Sequence, residues 1–392
     1  MHDERMLPER AVMARVRRSR RIAGAVGTIG TVGALLLATA CATAGVGSST
    51  SSSGTVPSTA GATAADHGWR VTTKEHVDLW LHGFALLTSD TGHVPFFARG
   101  YKQQITALKR QRNVYTQLDA NQQKLSQRFA TNPALTNAQF LAMYFPSMQE
   151  IVNATDYFIR SGGNPRASSD PEIQQEIALM ASVFPTSADR DWLRLFVQSL
   201  QDESNRFYHD YWTHEQQTRG AAFAQVNQLW VGQYYQNLSR FLNNTQQASG
   251  ELILSLPLGG EGRTISDGKL SNAIAVDFPT SVDAAPEAIY TFAHEAVGKL
   301  VDEAIRDNTT PAEQRSGETA GYQGNGAVRA GALLLQRVAP ELVPGYMRFY
   351  LRTAAAAVPS GDPAAAFTSA FPLPQAIVSA IGRQIDVVLG GI

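Results

Sequence analysis

The residue types and spacing best suited to chemistry lie in Tyr290-Thr291-Phe292-Ala293-His294-Glu295-Ala296-Val297-Gly298-Lys299-Leu300. An imidazole followed directly by a carboxylate on a helix is half of a hydrolytic metal centre. A second histidine at i+4 would aim its ring at the same zinc ion, and the glutamate would act as general base on the metal-bound water. Here the i+4 position is Gly298, which has no side chain to offer. A further carboxylate, Glu318, follows 24 positions after His294 in Ser316-Gly317-Glu318-Thr319-Ala320-Gly321. His294 is therefore a candidate metal ligand and Glu295 the candidate catalytic base.

Other constellations carry less. His209 and His214 are five apart, and His76 and His82 six apart, so neither pair shares a helix face and no metal site is expected from them. A second His-Glu pair, His214-Glu215, has no supporting pattern. No G-x-S-x-G elbow occurs. Gly259-Gly260-Glu261-Gly262-Arg263 is neither a phosphate-binding nor a dinucleotide loop and reads as a turn. Lys109-Arg110-Gln111-Arg112 reads as one solvated helix face.

The elements that must position His294 follow from hydrophobic spacing. Glu251–Leu256 and Ser271–Phe278 are short apolar runs closed by proline, hence strands, with the Gly-rich segment between them expected as a broad hairpin connection. Pro286 opens a helix expected to run past Glu303, with Pro311 as a stop downstream. Another helix spans about Glu318–Val338, and one or two Ala-rich helices follow. From about Glu75 to Leu242, apolar residues recur at 3–4 spacing, as in Trp192-Leu195-Phe196-Leu200, and predict five to seven packed helices. The fold class is mostly α: a helical region over residues 66–249, then an α+β region with a small sheet over residues 250–392.

Strand, His-Glu helix, loop and Glu-bearing helix, over about Gly250–Val338, resemble the core of gluzincin (thermolysin-like) zinc metallopeptidases, with HExxG in place of HExxH. The resemblance rests on His294, Glu295 and Glu318. It implies a helix pair that holds zinc through His294, a third ligand, Glu318, on the second helix, and an edge strand, here Asn272–Val276, on which a peptide lies. It also implies a helical remainder. Because Gly298 removes one imidazole, the first expectation is a non-catalytic relative that binds a peptide or envelope partner in the same groove. The alternatives are an active zinc-dependent peptidase with its missing ligand supplied from elsewhere or by water, and a structural envelope protein.

The first 65 residues concern location. Arg5, Arg10, Arg15, Arg17, Arg18, Arg20 and Arg21 precede an apolar stretch, Ile22–Ala40, which ends Leu35-Leu36-Leu37-Ala38-Thr39-Ala40-Cys41. This is the plan of a secretory signal over residues 1–40, and its end resembles a bacterial lipobox. Ala38 stands where leucine is usual. Cys41, the single cysteine, would then be acylated, and the chains would hold the protein on a membrane at about 0.8 kcal/mol per buried methylene. With Cys41, residues up to 65 form a Gly/Ser/Thr-rich tether. The expected location is outside the cytoplasm, lipid-anchored to the cell or outer membrane of a bacterium.

Composition sets outer limits. Of 392 residues, 44% are hydrophobic and 17% charged, as in a globular body. Lys+Arg 33 against Asp+Glu 34 excludes a generally basic nucleic-acid binder. Without residues 1–40 the balance is 26 basic to 31 acidic residues, a mildly acidic exported body.

Overall fold

Local chemistry sets several helix starts. Asp170 caps the helix of Pro171–Val183 by accepting from the Glu172 amide, with proline at its first position. Thr186 and Asp189 form a reciprocal capping box at the start of Ser187–Glu203. The computed structural model describes residues 68–89, 92–266 and 271–390. The expected signal segment, Cys41 and the expected tether lie outside them.

The chain opens with strand β1 (Trp69–Thr72), then helices α1 (Glu75–Leu87), α2 (Tyr101–Gln111) and α3 (Gln117–Thr131). A 3-10 segment (Pro133–Tyr144) leads to α4 (Met148–Arg160) and α5 (Pro171–Val183). Helices α6 (Ser187–Glu203) and α7 (His209–Thr218) join through a π turn at Ser204–Tyr208. Likewise α8 (Gly220–Leu229) and α9 (Tyr235–Asn244) join through one at Trp230–Tyr234. The region is helical, as its spacing predicts, apart from β1.

The sheet then forms from β2 (Gly250–Ser255), β3 (Arg263–Ser266) and β4 (Asn272–Asp277). Its order is β1-β2-β4-β3. β1 and β4 both pair with β2 in parallel, Trp69 opposite Gly250 and Ser255 opposite Asp277, whereas β3 runs antiparallel to β4. Two expectations are corrected here. The segment between β2 and β4 is no hairpin connection, since those strands are parallel and it supplies β3. Nor is Asn272–Val276 an edge strand: it is buried between neighbours on both sides, and β3 is the edge.

Helix α10 (Pro286–Ala296) packs beneath β4, followed by α11 (Gly298–Asp307), α12 (Pro311–Ser316) and α13 (Glu318–Val338). The expected single helix past Glu303 is thus two, broken at Val297, and Pro311 starts a helix where a stop was expected: Thr310 and Glu313 cap it. The chain closes with α14 (Val343–Thr353), α15 (Ala364–Ala370) and α16 (Gln375–Gly390). Among the described residues no single helix is long and apolar enough to cross a membrane.

One continuous core joins the helical and α+β regions. Phe292 of α10 meets Trp69 of β1 edge-on at 4.9 Å and Trp230 at 4.4 Å, so the first strand is locked to the His294 helix. In the helical region, Trp192 stacks on Phe196 at 4.8 Å, and Trp80 meets Phe196 edge-on at 5.1 Å.

Candidate functional site

His294 sits in the last turn of α10 and is 4% exposed. Its Nδ1 is buried without a hydrogen-bond partner, and its ring lies 5.4 Å from that of Tyr350. Burial lowers its pKa to about 4; nearby Glu261 and the Ala327 carbonyl oppose the shift, and Arg263 adds to it. The imidazole is therefore neutral at pH 7. Its Nε2 lies 3.6 Å from Glu295 Oε1, too far for a good hydrogen bond, and with a neutral ring the two do not form an ion pair.

Glu295 points at the edge strand. The Gly262 amide donates to its Oε1 at 3.2 Å and the Thr264 hydroxyl to its Oε2 at 2.8 Å. Both carboxylate oxygens thus clip α10 to the start of β3. The approach is close: a Cβ on Gly262 would come within 2.5 Å of the Ala275 carbonyl and 2.8 Å of Glu295 Cγ.

Helix α13 crosses α10 where Gly331 faces His294; a Cβ there would lie 2.2 Å from Tyr346 Oη and 3.2 Å from His294 Cα. The turn nearest the imidazole is the one around Ala327. Glu318 opens the helix nine residues earlier, a rise of about 13 Å at 1.5 Å per residue. The turn that meets His294 is therefore not the one that begins at Glu318.

The zinc ion implied by the resemblance does not fit these donors. The paired-ligand geometry needs positions 294 and 298 on one continuous helix, but α10 ends at Ala296. Space beside Gly298 is open: a Cβ there would meet nothing within 4 Å. Glu295 is committed to β3. Among the described residues no three His, Cys, Asp or Glu side chains are grouped to hold a metal. Of the paired candidates, His76 meets the Phe145 carbonyl at 2.9 Å and His209 meets Glu75 at 2.9 Å, each away from His294.

What the structure does build beside this pair is a cavity of about 460 Å³. The start of β3 supplies Glu261 and Arg263, the 3-10 segment Thr136 and Gln139, the α1–α2 connection His93, Phe96 and Phe97, and α13 Gly321, Gly324 and Asn325. The loop expected only as a turn is held against the α1–α2 connection by backbone bonds: Gly259 donates to the Phe96 carbonyl at 2.7 Å and Glu261 to the Pro95 carbonyl at 3.1 Å. Tyr350 Oη donates to the Gly260 carbonyl at 3.1 Å. Arg263 lies over the Phe96 ring at 3.8 Å and the Phe140 ring at 5.0 Å. Spacing missed this wall because its parts come from four distant segments.

A second polar cluster, also unforeseen, lies in the helical region. His82 Nδ1 meets Tyr101 Oη at 2.9 Å and its Nε2 meets Glu203 at 3.1 Å. Lys109 donates to both Glu203 oxygens at 3.0 and 2.8 Å, and Thr116 donates to the same carboxylate. Lys109, expected on a solvated face, is buried here. Burial lowers the His82 pKa. For Glu203, burial pushes upward, but His82 and Lys109 outweigh it and hold the carboxyl at about 2. Every charge in the cluster has a partner, which makes it a brace between α1, α2 and α6.

No protein-family model, curated protein or solved structure matches this chain.

Proposed function

We propose that this chain is a non-catalytic, lipid-anchored envelope protein that binds an extended peptide or a strand of an envelope partner along β3. One observation carries the reading: β3 is an edge strand with one sheet neighbour, clipped by Glu295 to the His294 helix, and a 460 Å³ cavity opens at its start. A strand edge without a sheet neighbour offers main-chain hydrogen bonds to an added strand, and a cavity beside it gives side-chain selectivity. The gluzincin resemblance places its groove along Asn272–Val276, which is an inner strand, so the reading rests on β3 and not on that resemblance. The break at Val297 and the commitment of Glu295 to β3 support binding over hydrolysis.

The test uses the full chain in detergent. A fluorescein-labelled hexapeptide of alternating Thr and Val should raise anisotropy saturably. Zinc should stay well below one ion per chain, with casein cleavage equal to that of His294→Ala. One zinc per chain together with His294-dependent cleavage would favour an active peptidase, and no saturable binding would remove the peptide groove.

A further inference from the structure

The cavity beside β3 holds a buried polar side chain that the protein leaves without a partner. Gln139, in the 3-10 segment, lines the cavity and is 7% exposed. Neither atom of its carboxamide is sealed from open space, and neither has a hydrogen-bond partner among the described residues. Its polar neighbours in the wall are committed. Thr88 donates to the Phe84 carbonyl at 2.8 Å, His93 Nε2 to the Ala370 carbonyl at 3.1 Å and Asn325 to the Pro372 carbonyl at 3.0 Å. Arg263 Nη1 donates to the Gly262 carbonyl at 2.9 Å and reaches Glu261 Oε2 at 3.5 Å. Gln139 thus presents a donor and an acceptor side by side that no protein group meets, and a ligand with the complementary pair bonds to both.

The rest of the wall narrows the ligand. It carries one carboxylate, Glu261, and one guanidinium, Arg263, so an ion of either sign meets a like charge there. Val94, Phe96 and Phe97 are buried and offer apolar surface to methylene groups. A trans peptide group points its N–H and C=O to opposite sides and cannot meet both functions of one carboxamide. A primary carboxamide carries donor and acceptor on one edge and meets both. We propose that Gln139 makes this cavity a subsite for a primary carboxamide, the side chain of glutamine or asparagine, on the segment laid along β3; the inference rests on the peptide-binding reading of the same groove. In the pair, Gln139 Nε2 donates to the ligand's carbonyl, and the ligand's amide donates to Gln139 Oε1.

The experiment measures binding of fluorescein-labelled Thr/Val hexapeptides to the full chain in detergent, with Gln, Asn or Met placed at each position in turn. Met nearly matches Gln in length and lacks its amide. The best Gln or Asn peptide should bind about tenfold more tightly than the Met peptide of the same position, as two net hydrogen bonds allow. Whichever of Gln and Asn binds better identifies the source of the carboxamide. Gln139→Met should abolish the preference and leave the urea midpoint unchanged, because the parent side chain has no protein bond to lose. A lowered midpoint would show that Gln139 serves the fold and would overturn the subsite. N-acetyl-glutamine methylamide, compared with its methionine analogue by calorimetry, separates the subsite from the groove. Equal binding of Gln, Asn and Met hexapeptides, or a preference that survives Gln139→Met, overturns the subsite and leaves the groove reading intact. A preference for the glutamine probe without any hexapeptide binding overturns the groove and retains the subsite, and no binding by any probe overturns both. Because the peptide series uses the unaltered chain, it holds even where the variant fails to fold.

Discussion

Asp78→Asn is the sharpest perturbation of stability. Asp78 is fully buried in α1; Trp212 donates to its Oδ2 at 2.9 Å, and its Oδ1 has no well-formed bond. Ser255, also fully buried, lies beside it at the end of β2. Burial raises the Asp78 pKa from 3.8 to about 7, against the pull of Ser255, Trp212 and Arg219. A carboxyl whose folded pKa is raised contributes its full stability below pH 3.8 and loses it as pH climbs through about 7. The difference amounts to about 4 kcal/mol at 1.36 kcal/mol per pH unit. Asparagine has the same shape, keeps the acceptor for Trp212 and never ionises. Urea denaturation should find Asp78→Asn close to the parent at pH 4 and more stable by up to about 4 kcal/mol at pH 8. Asp277, opposite Ser255 in the sheet and likewise raised to about 7 by burial, leaves a residual slope in the same direction. A variant destabilised equally at pH 4 and pH 8 would show that burial does not hold Asp78 protonated in the fold.

Four further outcomes are expected. Gly331→Ala should cost about 1–3 kcal/mol in urea melts by forcing α13 off Tyr346 and His294, and Tyr346→Phe in the same chain should return part of it by removing the nearest atom. Glu203→Ala, which leaves buried Lys109 with Asp119 as its ion-pair partner and takes the acceptor from His82, should cost about 3 kcal/mol by the same assay. Because the Glu203 pKa is depressed, its contribution in the parent is present above pH 4.5 and lost as pH falls towards about 2. Gly298→His should bring no zinc by metal analysis, since residue 298 starts a new helix; one equivalent of zinc would show that the helix break does not matter. Cys41→Ala should release the protein from membranes and abolish labelling by palmitate, and labelling equal to the parent would defeat the anchor.

Much of the architecture was legible because strong local signals mark it. The helix expected over Glu318–Val338 has those bounds, and β2 and β4 match the two apolar runs to within one or two residues. Four-residue strands were not legible: β1 has too few residues to show a period, and β3 follows Gly259-Gly260-Glu261-Gly262, which looks like turn chemistry until β4 pairs with it. The break at Val297 was signalled by Gly298, which can be read either as a lost side chain or as a helix interruption, and local sequence does not choose between them. At the site, the pattern picked out His294 and Glu295 as neighbours on one helix. It could not reveal that Glu295 faces Gly262 and Thr264, 33 and 31 positions earlier. The buried charge of Lys109 was equally hidden, since its partner Glu203 comes from a helix 94 residues away.

The most direct test of the groove is hydrogen–deuterium exchange of residues 261–266 in the full chain, with and without the saturating Thr/Val hexapeptide. Strand addition predicts that amide exchange in this segment slows at least tenfold, while the amides of β1, at the opposite edge of the sheet, do not change. Unchanged exchange in 261–266 while the peptide is bound, or slowing confined to β1, would contradict it.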